Sequence, residues 1–167
     1  MARLQRLLIN LFGQWFAMRR CFPESLLDEM TLAIARGEQS HLGEVRFAVE
    51  SRLAPWLVLE GVDTATRARQ VFSQLQVWDT EHNTGVLFYV LMAERRIEIV
   101  ADRGIAGRVA QTEWDDICAI MRNSYASGRW HDGSLAGIAA AHALLAKHFP
   151  SDGIDNPDEL PDRPILL

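Results

Sequence analysis

The topology of this chain depends on one segment, NTGVLFYVLMAERRIEIVADRG, which occupies residues 83–104. Residues 86–92 form an unbroken apolar run, the polar residues AERR follow, and residues 97–101 carry the chain back. An unbroken apolar run of this length is typical of a strand that is buried on both faces. Because a short polar turn joins two strand-like runs, the segment predicts a hairpin whose first strand is central in a sheet.

A second strand is predicted upstream of this hairpin. In the stretch EVRFAVES, which begins at Glu44, the apolar residues Val45, Phe47 and Val49 alternate with charged or small ones, the period of a strand with one buried face. A helix that begins at Asp63, a favoured N-cap residue, separates the two runs. Strand–helix–strand connections within one sheet are almost always parallel and right-handed, so these two strands are predicted to run in the same direction.

Helical patterns flank the strands on both sides. One helix is predicted from Pro23 to Gly37, another from a capping box at Thr112 and Asp115 to Gly128, and a last one from His131 to Phe149. This order of elements predicts an α/β fold in which helices cover both faces of a short mixed sheet.

Composition narrows the class of protein. The length of 167 residues fits one globular domain. The net charge of −5 argues against a nucleic-acid-binding protein. The two cysteines, Cys21 and Cys118, show no spacing typical of a disulfide framework or a zinc site. No apolar stretch approaches the roughly 20 residues of a spanning helix. We therefore expect a cytoplasmic protein.

Charge divides the chain into three parts. Residues 1–22 contain four arginines and no acid, and residues 151–167 form an acidic tail with three prolines. We expect a basic amphipathic helix in the first part, a globular domain at residues 23–150, and a separate tail.

The N-terminal helix has one apolar face that must be buried against something. Three fates are open: docking on its own domain, pairing with a protein partner, or lying on an anionic membrane through residues 1–20, peripheral at the inner membrane surface. The face consists of residues at helical spacing, Leu4, Leu7, Leu8, Leu11, Phe12 and Trp15.

The predicted topology brings polar loops together at one edge of the sheet. Carboxylate and amide oxygens of this kind are ligands that Ca²⁺ and Mg²⁺ prefer. The alternative is that they only form turns and solvated surface. No motif of a P-loop, a dinucleotide site, a zinc protease or a serine nucleophile is present. The candidate cation ligands are Glu44, Asp79, Asn83 and Asp102, with Glu81 nearby.

Three segments together resemble one known family. HLGEVRFAVE from His41, WDTEHNTGVLFYVLMAERRIEIVADRGIAGRV from Trp78, and GSLAGIAAAHALLAKHFPSDGIDNPDELPD from Gly133 are similar to the TPM domain family, especially its short, soluble bacterial branch. The resemblance covers roughly residues 24–162. It implies a three-layer α/β/α sandwich with a short mixed central sheet.

The resemblance also implies a groove at the loop edge that is associated with divalent cations. Gly43 and Glu44 match the Gly-Glu that opens the first strand, and residues 102–104 match the Asp-x-Gly turn after the hairpin. Asn83 and Gly85 match the Asn-Gly-Val segment, but Thr84 is interposed between them here.

Relatives in this family include acid-phosphatase-like proteins of the thylakoid lumen as well as accessory proteins. Two functions therefore stay open. The chain is either an accessory or interaction module that binds Ca²⁺ or Mg²⁺ at the loop edge, or a metal-dependent phosphatase that acts on phosphomonoesters. In the second case Arg103 would bind the phosphate.

Overall fold

The computed structural model describes residues 3–11, 15–151 and 157–167. The helices in these ranges are α1 (Arg3–Leu11), α2 (Trp15–Cys21), α3 (Glu24–Glu38), α4 (Pro55–Leu59), α5 (Thr64–Gln74), α6 (Arg103–Ala106), α7 (Gln111–Ala126) and α8 (Trp130–His148). The strands are β1 (Glu44–Glu50), β2 (Gly85–Leu91), β3 (Arg96–Ala101) and β4 (Ile165–Leu166). No helix in these ranges is both long and apolar enough to cross a membrane.

The strands form one mixed sheet in the order β3-β2-β1-β4. Strand β2 runs parallel to β1, with Glu44 opposite Gly85, and antiparallel to β3, with Val86 opposite Ala101. The parallel pair and the hairpin are therefore both confirmed.

Helices cover the sheet on both faces and enclose two apolar cores. On one face Val45, Phe47 and Phe88 lie in a core with residues of α3, α7 and α8. The rings of Phe47 and Phe88 stack there with centroids 5.6 Å apart. On the other face Ala48 and Leu87 lie in a core with residues of α4 and α5. Successive residues of β1 thus point alternately into the two cores. The predicted α/β/α sandwich is confirmed.

The acidic tail is not outside the globular part, which corrects the expected boundary at residue 150. Residues Ile165 and Leu166 form β4 and pair in parallel with Ala48 and Val49. Leu160 is 6% exposed and belongs to the second core. A strand of two residues is too short to show a period of two, so the sequence pattern did not reveal it.

Two predicted helix ends need correction. Helix α7 begins after Ala110, and Glu113 accepts a hydrogen bond from the Ala110 N–H at 3.2 Å, so Thr112 and Asp115 do not form the capping box. Helix α3 continues past Gly37 to Glu38. A Cβ at Gly37 would overlap the ring of His142. That glycine is required by close packing, and not by a helix stop.

The N-terminal segment forms helices α1 and α2, but the leucine face of α1 is not docked on its own domain, which was one of the three predicted fates. Burial against a partner or a membrane stays a prediction. Leu4, Leu8 and Leu11 are 69%, 50% and 48% exposed, and Leu7 alone among the described leucines of α1 packs partly against the second core. Phe12 and the side chain of Trp15 lie outside the described residues.

Helix α1 docks on its own domain through polar groups. Asn10 is fully buried, its Oδ1 accepts from the Leu53 N–H at 2.7 Å, and its Nδ2 donates to Glu94 at 3.0 Å. Arg6 donates to the same Glu94 oxygen at 2.8 Å and to the Val62 carbonyl at 2.9 Å. A buried carboxylate without partners costs much more free energy than exposed leucines do, which explains the orientation of α1.

Gly85 opens β2 at a place where the chain leaves no room for a side chain. A Cβ there would overlap the backbone carbonyl of Val77, which crosses over the start of the strand. Gly107, by contrast, has no atom within 4 Å of a Cβ position, and its φ is −81°.

We expect Gly85→Ala to lower the free energy of unfolding by about 1 to 3 kcal/mol, because a backbone carbonyl must move to accept the methyl group. Gly107→Ala is the matched control and is expected to change stability by less than about 0.5 kcal/mol. Urea denaturation of both variants measures the difference. Equal stability of the two variants would contradict the proposed contact with Val77.

Candidate functional site

Three loops meet at one edge of the sheet, as the sequence analysis predicted. The Glu44 N–H donates to the Thr84 carbonyl at 3.1 Å, and the Asp102 N–H donates to the Gly85 carbonyl at 2.9 Å. Glu44, Asn83 and Asp102 therefore stand at the same end of β1, β2 and β3. Their placement at one edge is confirmed, whereas their role as ligands stays a prediction.

Asp102, Asn83 and Arg103 form one hydrogen-bonded unit at this edge. Asp102 Oδ1 accepts from the Arg103 N–H at 2.7 Å, and Arg103 Nε donates to Asn83 Oδ1 at 2.9 Å. Asn83 adopts a φ of +54°, and its carbonyl accepts from the Gly104 N–H at 3.0 Å. The second carboxylate oxygen of Asp102 is buried and has no hydrogen-bond partner among the described residues.

The four predicted ligands do not assemble as one set of carboxylates. Gly85 separates Glu44 from Asp102 in the sheet, and the Val77 backbone covers that position. Asp79 is exposed and its N–H donates to the Gln76 carbonyl at 2.9 Å. Within the described ranges, the side chains that could hold an ion together include Glu44 but neither Asp79 nor Asp102.

A different trio of carboxylates surrounds Glu44. Ligand oxygens of Glu38, Glu44 and Asp158 all lie within 4.8 Å of one another. Glu38 ends α3, Glu44 begins β1, and Asp158 comes from the C-terminal tail. We call this group the carboxylate trio.

Backbone groups hold two members of the carboxylate trio in place. Glu38 Oε1 accepts from the Val45 N–H at 2.6 Å. Glu44 Oε2 accepts from the N–H groups of Glu159 and Leu160 at 3.4 and 3.3 Å. Since Glu38 is 7% and Glu44 1% exposed while Asp158 faces solvent, the trio is closed on one side and open on the other.

Burial, and to a lesser extent neighbouring negative charge, raises the pKa of the two buried members of the trio, Glu38 and Glu44. Burial raises the pKa of Glu38 to about 9 against the hydrogen bond from Val45, and the charges of Glu44 and Asp162 add to the rise. Burial likewise raises the pKa of Glu44 to about 7, despite the two backbone donors. The pKa of Asp162 is also raised by burial and by the charge of Asp158. Glu38 and Glu44 therefore lie where burial disfavours the ionised form of a carboxyl group.

Sequence reasoning missed Glu38 and Asp158 for different reasons. Glu38 lies four residues after Ile34 and continues the buried stripe of α3, so an acid at that position was a detectable signal. Asp158 joins the trio only because β4 draws the tail across the sheet edge. The sequence around Asp158 contains no pattern that predicts the course of the C-terminal tail along the sheet edge.

Two histidines are paired beneath the same loops. His41 Nε2 and His142 Nδ1 are 2.7 Å apart, and His41 Nδ1 accepts from the Gly43 N–H at 3.1 Å. Because His41 Nδ1 is an acceptor, His41 Nε2 carries the proton and donates to His142, which leaves the His142 proton on Nε2. Burial first, and for His41 also the neighbouring His142, lowers the pKa of each ring to about 4. The pair is therefore neutral at pH 7.

The C-terminal tail lies across this edge and is held at several points. Glu159 accepts from the Glu81 N–H at 3.0 Å, and Arg46 donates to the carbonyls of Pro161 and Arg163. The Arg163 side chain pairs in turn with Asp28 of α3 at 2.7 Å. The tail thus connects both helical layers to the loops around Glu44.

A family model that describes the TPM domain matches residues 21–144 of this chain. The chain belongs to the TPM domain family. Strands β1, β2 and β3, helices α3 and α7 and most of α8 fall within the match, and Asp158 lies beyond it.

One solved structure supports the fold of this TPM domain. The NMR structure of the BA42 protein from the psychrophilic bacterium Bizionia argentinensis is 29% identical and superposes with a TM-score of 0.76. The alignment covers 86% of this chain and 93% of the other. A search of curated proteins gives no match.

The raised pKa of Glu38 predicts how stability depends on pH. Between its ordinary pKa of 4.5 and about 9, the folded state holds a proton that the unfolded state releases. Glu38 therefore makes the free energy of unfolding decrease as pH rises through this window, by up to about 1.4 kcal/mol per pH unit. Glu38→Gln keeps an acceptor for the Val45 N–H and removes this contribution.

We expect Glu38→Gln to become more stable than the natural chain as pH rises from 5 to 8.5. Urea denaturation in the presence of a chelator measures the difference in free energy at each pH. Glu60→Gln, on the exposed end of α4, is the control and is expected to show no such trend. A difference that stays constant with pH would argue against a buried protonated carboxyl at Glu38.

Proposed function

We propose that this TPM domain binds one divalent cation, Ca²⁺ or Mg²⁺, at the carboxylate trio and acts as a cation-dependent accessory module. The observation that carries the proposal is the convergence of Glu38, Glu44 and Asp158 within 4.8 Å, two of them buried. Three oxygen-donor groups of this kind match the hard-ligand preference of both ions.

Electrostatics supports a cation at this place. The pKa values of Glu38 and Glu44 are raised to about 9 and about 7, chiefly by burial and in part by neighbouring acids. A bound divalent cation would favour the ionised carboxylates and so replace protons at neutral pH. The open side at Asp158 leaves room for water, which completes the coordination of Mg²⁺ and often of Ca²⁺.

The residues predicted from the sequence take different places in this proposal. Glu44 is a ligand in both sets. The prediction that Asp79, Asn83 and Asp102 are cation ligands stays untested, and these residues are not part of the trio. The Asp102 oxygen that has no partner among the described residues is chemically suited to bind a cation.

The alternative function is a metal-dependent phosphatase. In this function a positively charged side chain near the metal would bind the phosphate of the substrate. Arg103 is the residue predicted for that role. Its guanidinium already donates to Asn83 Oδ1 at 2.9 Å, on the far side of Gly85 from Glu44. We therefore favour the accessory module.

We expect calorimetry on the chelator-treated protein to show one Ca²⁺ or Mg²⁺ bound per chain. Glu44→Gln is expected to weaken binding by at least about tenfold, because it removes one anionic ligand. Asp79→Asn is the matched control, since Asp79 lies in the same edge loops but outside the trio. This variant is expected to bind the cation with unchanged affinity. Loss of binding in Asp79→Asn with normal binding in Glu44→Gln would refute the trio.

Binding is also expected to strengthen as pH rises from 6 to 9, because the cation displaces protons from Glu38 and Glu44. Titrations in buffers of different ionisation enthalpy measure the protons released. The melting temperature of each cation-free variant shows whether lost binding reflects misfolding.

Hydrolysis of para-nitrophenyl phosphate, measured with and without Mg²⁺, separates the two functions. An accessory module is expected to give no turnover above the buffer. Turnover that requires Mg²⁺ and disappears in both Glu44→Gln and Arg103→Ala would establish the phosphatase instead.

A further inference from the structure

Helices α1 and α4 present large apolar side chains to solvent at neighbouring positions. The two helices pack against each other, and five of their apolar residues are between 48% and 69% exposed. We call this group the α1–α4 surface. It consists of Leu4, Leu8, Leu11, Trp56 and Leu59.

The orientation of α1 is fixed, so this exposure is a property of the docked helix. Arg6 and Asn10, on the other side of α1, are held by Glu94 and by the Leu53 N–H. Thr64 adds a further hydrogen bond to Glu94 at 3.3 Å. Rotating the helix to bury Leu4 and Leu8 would take Arg6 and Asn10 away from the buried Glu94 carboxylate and leave it with the hydrogen bond from Thr64.

Two exposed arginines, Arg3 and Arg52, flank the α1–α4 surface. Arg3 begins α1, which contains no acid, and α4 contains no charged residue. The other arginine of α1, Arg6, is paired with Glu94 and does not belong to this surface. Arg52 is exposed and donates to the Leu11 carbonyl at 3.1 Å, so arginines stand at both ends of α1. Glu60, directly after α4, is the nearest exposed acid in the sequence of that helix.

We propose that the α1–α4 surface lies on an anionic lipid surface. Leucine and tryptophan side chains on one side of a helix enter the boundary between headgroups and acyl chains, and flanking arginines pair with anionic headgroups. Pairing with a second copy of this chain is the alternative occupant, and the test below distinguishes it from lipid. The proposal concerns a different face from the carboxylate trio and stands independently of it.

The test uses the full chain and vesicles of phosphatidylcholine with or without phosphatidylglycerol, sedimented in the presence of a chelator. The chelator prevents a cation from bridging carboxylates to lipid. The natural chain is expected to bind the anionic vesicles, and to bind less at 0.5 M salt, because salt screens the arginines. The variant Leu4→Ser/Leu8→Ser/Trp56→Ser is expected to bind at least about tenfold more weakly.

The matched control is Leu32→Ser/Ile120→Ser, which alters two exposed apolar residues on α3 and α7. It is expected to bind as the natural chain does. The proposal is overturned if the natural chain does not bind anionic vesicles, or if the triple variant binds them equally well. It is also overturned if light scattering shows a dimer that the triple variant converts to a monomer while vesicle binding is absent.

Discussion

Strand β2 is buried on both faces and bonded on both edges, and the other elements are arranged around this constraint. Its seven residues are all buried, so apolar layers must cover it above and below. Its backbone groups must find partners on either side, which β1 and β3 provide. The absence of a side chain at Gly85 then lets the preceding loop cross close to the sheet. The loops that carry Glu44, Asn83 and Asp102 meet at one edge because β2 pairs in parallel with β1 and antiparallel with β3.

Much of this arrangement could be predicted from the sequence because it is periodic. The apolar run at residues 86–92 and the alternation from Val45 to Val49 fix strand type and direction. What could not be predicted depends on contacts between distant residues. Asp158 reaches Glu44 only through a tail whose strand has two residues. The orientation of α1 follows from a single buried carboxylate, Glu94, because amphipathic periodicity alone favours the opposite face.

The buried acids and the buried histidines impose opposite pH dependences. Glu38 and Glu44 have raised pKa values, so they reduce stability as pH rises, while His41 and His142 have lowered pKa values and reduce stability as pH falls below about 6.5. Glu38, His41 and Glu44 lie at the junction of α3 and β1, and His142 reaches His41 from α8. Together these four groups therefore contribute most stability at an intermediate pH, and occupation of the trio by a cation would extend that range to higher pH.

Strand β1 shows what the short β4 contributes beyond two residues of pairing. The N–H groups of Ser51 and Leu167 and the carbonyl of Val49 are satisfied only because the tail lies along this edge. Without it, β1 would present a row of unpaired backbone groups, and such an edge can recruit strands from other chains. The opposite edge, β3, carries Arg96 and Glu98, whose charges discourage such pairing. The acidic C-terminal segment thus covers an edge of the sheet that could otherwise pair with strands of other chains.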